Sequence, residues 1–186
     1  MSSKHGLIGV LLLSLCKMIK PDITDKQIFR ALGNFLKSLF PDIPVIKGQV
    51  NRTPMPKTGF ICINNTGKRF LSMNRHAYDV DNQIEKIQAS TNYIIQADFY
   101  GKDSGDWVQA FVDTFKDSYG FDVFPEHIKP LTTGEPAQIP IDPGEKQYLE
   151  RWKVSVELQY NPNIDVPMTF FNEIDIQLID TTTIHD

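Results

Sequence analysis

Several kinds of machinery are missing from this chain. Its two cysteines, Cys16 and Cys62, are too few for a disulfide framework or a zinc site. They read as small apolar residues in a reducing compartment. No run of Lys and Arg is longer than Lys68-Arg69, and 23 acidic against 19 basic residues leave a formal net charge of −4. Proteins that grip phosphates present a basic face, so sequence-specific nucleic-acid binding is disfavoured. The apolar stretch from Gly6 to Cys16 is too short for a comfortable membrane span. It resembles the hydrophobic region of a signal peptide, but Leu15 is not the small residue that a lipoprotein cleavage site needs immediately before its cysteine, and a good small-residue signal-peptidase site is also missing. Met18 stands just before the polar, domain-like sequence and is the expected natural start, with residues 1–17 an apolar extension or terminal helix. Repeats, low-complexity tracts and heptads are absent.

Catalytic constellations are missing too. Thr66-Gly67-Lys68 lacks the upstream glycine of a phosphate-binding loop, and Asp79, Asp81 and Glu85 lack the turn glycine and closing glutamate of a calcium loop. His5, His76, His127 and His185 are scattered, and Ser14, Ser38 and Ser118 sit in no nucleophile-elbow context. Asn51-Arg52-Thr53 and Asn64-Asn65-Thr66 fit the glycosylation sequon, a triplet common by chance. Asp98, Asp103 and Asp106 form the one carboxylate group worth weighing for Mg²⁺; helix capping explains Asp103 and Asp106 more cheaply. The expectation is a non-enzyme, with no catalytic residue, cofactor or metal ligand assigned.

What the chain does have is a clear alternation of elements. The stretch Thr91–Tyr119 organises the rest: a β-rich segment Tyr93–Tyr100, a break at Gly101–Gly105, then Trp107, Phe111, Thr114, Phe115 and Ser118 at helical spacing. At that spacing the aromatics read as core rather than as a base-stacking platform. Tyr119-Gly120 is expected to end this helix in a turn. Upstream, Thr24-Asp25-Lys26-Gln27 reads as a capping box opening a helix with apolar Ile28, Phe29, Leu32, Phe35, Leu36, Leu39 and Phe40, stopped by Pro41. Strands are expected at Val45–Val50 and Phe60–Ile63, separated by the proline-bearing loop Asn51–Lys57, which cannot be a central strand.

Asn64–Asp81 reads as an exposed loop or hairpin arm, Lys86–Ser90 as the start of the strand that runs on to Tyr100, and Pro130–Gly144 as irregular. Trp152, Val154, Val156, Leu158 and Tyr160 alternate with Arg151, Lys153, Ser155, Glu157 and Gln159, the signature of a half-buried antiparallel strand. A last, less clean strand is expected over Glu173–Asp180. The sum is an α+β domain: a mixed, mostly antiparallel sheet of about four to six strands with two main helices packed on one face.

Three groups of residues, taken in order, resemble the phage neck terminator (tail terminator) proteins. They are Gln49-Val50-Asn51-Arg52-Thr53-Pro54-Met55-Pro56; the run Ala97–Asp106; and Leu158–Pro162 with Val166-Pro167 and Phe170-Phe171. The resemblance covers roughly residues 23–180 and leaves the apolar extension outside it. It implies a single terminator domain over residues 18–186 and a structural protein of a tailed-phage virion. It further implies a ring, usually hexameric, that caps the tail tube and joins it to the head-side connector. The implied partners are copies of itself, the tail tube protein and the connector, with DNA passing through unread; assembly would be in the host bacterial cytoplasm. Contacts to subunits and partners are expected from the loops Asn51–Lys57, Asn64–Asp81 and Pro130–Gly144, with Gln49, Asn51, Arg52, Pro54, Met55, Pro56, Arg75 and Asn161 as candidate residues. Arg52 is the candidate bridge, because a guanidinium makes several directed hydrogen bonds. A secreted or membrane-tethered binding domain is the alternative that the apolar N-terminus would favour.

Overall fold

The computed structural model describes residues 18–48, 56, 58–139 and 150–168. Helix α1 (Asp25–Leu39) opens as its sequence dictates: the Gln27 side chain reaches back to the Thr24 N–H at 2.7 Å, closing the capping box. Its apolar stripe, Ile28, Phe29, Leu32, Phe35 and Leu36, is buried. Strands β1 (Val45–Lys47) and β2 (Phe60–Phe70) follow, then β3 (Arg75–Asp79), β4 (Ile84–Gln88) and β5 (Thr91–Tyr100). Helices α2 (Ser104–Phe115) and α3 (Ser118–Val123) lead into β6 (Ile128–Thr133), β7 (Ala137–Gln138), β8 (Arg151–Tyr160) and β9 (Asn163–Pro167).

The fold is α+β, and its main sheet has six strands in the order β1-β2-β5-β8-β6, with β7 also pairing β8. Only the β1–β2 pair is parallel; the others are antiparallel. The period-two patterns decide which face is buried. Tyr93, Ile95, Ala97 and Phe99 of β5 and Val154, Val156, Leu158 and Tyr160 of β8 point into one core with α1, α2 and Phe124. Phe35 sits at its centre, with ring contacts to Phe111, Phe115, Tyr119 and Phe124 at 5.2–6.0 Å. Trp107, Phe111 and Phe115 are thus packing residues, Trp107 partly buried.

The other strands form a second sheet, β3-β4-β9, that extends the first. Strand β2 leads to β3, β4 leads to β5, and β8 leads to β9, so the three central strands each continue past a short break. Two expectations are corrected here. Asn64–Phe70 is not loop: it carries β2 along β5, with a register shift between Asn65 and Gly67, and only the segment after Leu71 turns into the hairpin arm β3–β4. The strand read as continuous from Lys86 to Tyr100 breaks at Ala89–Ser90, where it changes sheet.

Two further corrections concern connections. Tyr119-Gly120 is no turn but lies inside α3, whose N-cap Asp117 accepts a hydrogen bond from the Ser118 N–H at 2.7 Å. Pro130–Gly144 is not irregular throughout, because β6 and β7 occupy Ile128–Thr133 and Ala137–Gln138. Pro130 is tolerated because β6 is an edge strand with a register shift at that residue. The expected strand over Glu173–Asp180, the second half of Val45–Val50, and residues 140–144 lie outside the described residues.

Candidate assembly surfaces

The breaks between the two sheets are bound together by side chains. The Ser90 hydroxyl donates to the Asn161 side-chain oxygen at 2.8 Å, and the Gln159 amide donates to the Ser90 hydroxyl at 3.4 Å. Asn163 N–H and its side-chain amide both donate to the Asp22 carboxylate at 2.8 Å, while Gln88 donates to the Asn163 side chain at 2.9 Å. These bonds fix the outer sheet and the segment before α1 to the end of the main sheet. A polar groove of about 740 Å³, bordered by Asp22, Gln27, Glu126, His127 and Lys129, opens beside this junction.

The arm itself presents little buried surface. Strand β3 is exposed over Arg75–Tyr78, on both of its faces, and forms an outer edge of the second sheet. At its tip Asp79 accepts from the Asn82 N–H at 3.2 Å and the Asn82 amide at 3.0 Å. Those hydrogen bonds hold the Asp79 carboxyl below its ordinary range, with Lys86 assisting. At the arm's base Phe70, Leu71 and Met73 are exposed large apolar residues. A second group, Tyr119, Phe121 and Val123 of α3 with Leu131 of β6, is exposed at the β6 edge of the main sheet.

The face of the main sheet away from the helices is polar. Asp98, almost wholly buried there, accepts from Arg151 Nε and Nη2 at 3.1 and 2.9 Å, from Gln96 at 2.9 and 3.0 Å, and from Asn64 at 3.4 Å. Glu157 accepts from Arg69 at 2.7 Å and Asn92 at 2.8 Å. Burial pushes the Cys62 thiol up; the Asn64 hydrogen bond opposes this, and the Asp98 charge adds to it. At the edge of the helix face, Lys68 pairs with Asp25 at 2.7 Å. Burial works against the Lys68 ammonium, yet the Asp25 hydrogen bond prevails and holds its pKa above the ordinary value. Burial likewise raises the Tyr93 phenol.

Of the carboxylates weighed for a metal, Asp98 is engaged by Arg151, Asp103 holds the N-cap position of α2 without a side-chain bond, and Asp106 lies in that helix's first turn. Among the described residues no group of His, Cys, Asp and Glu is placed to hold a metal ion. Gln49, Asn51, Arg52, Pro54 and Met55 lie outside the described residues. The others do not form one site. Arg75 is exposed on β3 opposite Gln88, which in turn pairs Asn163, so Arg75 and Asn161 share the junction end of the outer sheet. Pro56 is half-buried in the segment leading to Phe60, whose partner Tyr100 lies at the opposite end of the main sheet. Asn161 spends its side-chain oxygen on Ser90 of the same chain. The apolar groups at Phe70–Met73 and Tyr119–Val123 escaped sequence reasoning, because exposed apolar residues in short segments look like core residues until the sheet faces are known.

Fold and surface describe a small α+β protein with polar, bonded strand junctions and two exposed apolar patches. The chain matches the profile of the phage neck terminator protein family over residues 26–183, and it belongs to that family. No curated protein sequence matches it. Among solved structures it is similar to the sheath/tube terminator of an extracellular contractile injection system (PVC), seen by cryo-EM in the extended state. Identity is 12% and the TM-score 0.47, over 88% of this chain. The chain spans 66% of that terminator's length.

Proposed function

We propose that this protein ends tail-tube growth by closing into a ring, of six subunits by family resemblance, on the last layer of the tube, and that the ring then docks the tail to the head-side connector. The observation that carries the reading is the family match over residues 26–183, which takes in every described element from α1 to β9 apart from the first residue of α1. The pairing of carboxylates agrees with binding rather than catalysis: Asp98, Glu157 and Asp25 each answer a cation of the same chain. A subunit with a net charge of −4 has no excess of cations to retain a duplex, so DNA can pass without being held. The working place is the tail and neck of the virion, after assembly in the host cytoplasm.

The test is tail morphology. In cells infected by a phage lacking this gene, tubes should be overlong and variable, and heads should accumulate without tails. Tails of normal length joined to heads would contradict the role.

A further inference from the structure

Resting on the ring reading above, we infer that neighbouring copies join through two different surfaces of the chain. The base of the hairpin arm on one copy packs against the α3 face of the next.

Position is the first argument. Phe70, Thr91, Tyr160 and Ile128 stand in one row across β2, β5, β8 and β6. Strand β1 pairs only Ile61–Ile63, so at the Phe70 end β2 is the lateral edge of the main sheet. Helix α3 lies against β6 at the other edge, where Lys129 Nζ donates to the Phe121 carbonyl at 3.1 Å. Phe70 and Ile128 therefore stand at the two lateral edges at the same height, three strand spacings or on the order of 14 Å apart, with α3 packed beside the β6 edge. A rotation about an axis running roughly along the strands carries one onto the other in the next copy. Two unlike surfaces meeting in this way make a heterologous interface, the kind that closes into a ring.

Exposure and charge supply the rest. Phe70 is 71% and Met73 93% exposed at the arm, and Phe121 46% exposed on α3. Paired burial of such side chains is the ordinary driving force for association. Between Lys68 and His76 the chain carries three Lys or Arg residues and no carboxylate. Lys68 and Arg69 are held by Asp25 and Glu157, which leaves Arg75 with no partner among the described residues. Between Asp113 and Glu126 the chain carries four carboxylates and a single lysine, Lys116, with the Lys129 ammonium beside Phe121, and Asp122 and Glu126 have no partner among the described residues. Arg75 beside one apolar group and Asp122 and Glu126 beside the other thus carry unpaired charges of opposite sign, which favours the head-to-tail pairing over either surface meeting itself.

The experiment uses two full-length variants, each spoiled on one side: F70D/M73D at the arm and F121D at α3. These side chains are exposed, so thermal melts should match the wild type. Wild-type protein, alone and on purified tail tubes, is examined by native mass spectrometry and electron microscopy. Rings are expected from the wild type, monomers from either variant alone, and a one-to-one dimer from their mixture, because each contributes its intact surface. Rings formed by either variant, or a mixture that stays monomeric, overturn the pairing while leaving the ring reading in place. Absence of any wild-type ring in solution and on tubes overturns the ring reading itself.

Discussion

At the scale of the residue, the most constrained group is Asp98. Its carboxylate is buried on the polar face of the sheet and is answered by two nitrogens of Arg151. D98A should cost about 2–4 kcal/mol in a urea titration, since removing one partner strands the other, here relieved in part because Arg151 reaches solvent. A loss below a few tenths would mean that the pair is incidental. Cys62 gives a second test. With its thiol pushed up, less thiolate is present at pH 8 than on a free cysteine, so a Cys16→Ser protein should alkylate several-fold more slowly folded than in urea. Equal rates would contradict the burial that raises it. Asp98 also shows the limit of reading residues alone. In the sequence it stood with Asp103 and Asp106 as a possible metal group, because its claimant Arg151 is 53 residues away and becomes its neighbour only through the β5–β8 register.

At the scale of the element, α1, α2 and β8 were legible because one face of each is apolar at its own period. The outer sheet was not. Strands β4 and β5 form one β-rich run, and what divides them is the bonding of Ser90 to Asn161 and Gln159, which no local pattern records. Strand β9 is five residues that follow Pro162 and end on Pro167, and it exists as a strand because β4 offers it an edge. Helix α3 was masked by Gly120, which suggests a turn but is there for closeness: a Cβ at that position would collide with the Phe115 carbonyl oxygen. Gly120→Ala should therefore shift α3 away from α2 and lower stability by about 1–3 kcal/mol, measured by denaturant unfolding. An unchanged midpoint would show that the two helices can move apart freely. The hairpin tip responds to acid. Asp79, held below its ordinary pKa of 3.8, contributes stability above that value and loses it as pH falls through the folded pKa. In an NMR titration the Asn82 amide should move with Asp79 below pH 4; an Asp79 transition above 3.8 would reverse the sign.

At the scale of the whole molecule, one aromatic core joins both halves of the chain. Phe35 of α1 meets Phe111 and Phe115 of α2 and Phe124 beyond α3, so Phe35→Ala should cost about 3–5 kcal/mol and lower the melting temperature as a single transition. Two separated transitions would contradict one cooperative core. The α+β class and the strands and helices around the core could be read from the chain, since faces and periods are local, but β6 and β7, which complete the six-stranded sheet, lie where the sequence reads as irregular. The exposed apolar surfaces proposed for assembly could not be read from it, because they depend on which strands end up at the edges. The central claim is that this small subunit acts as a ring at the end of a tail tube, and electron microscopy of purified tubes mixed with the protein tests it most directly. The account predicts one ring, with a central hole, at one end of each tube. Protein scattered along the tube wall, or absent from the tubes, would contradict it.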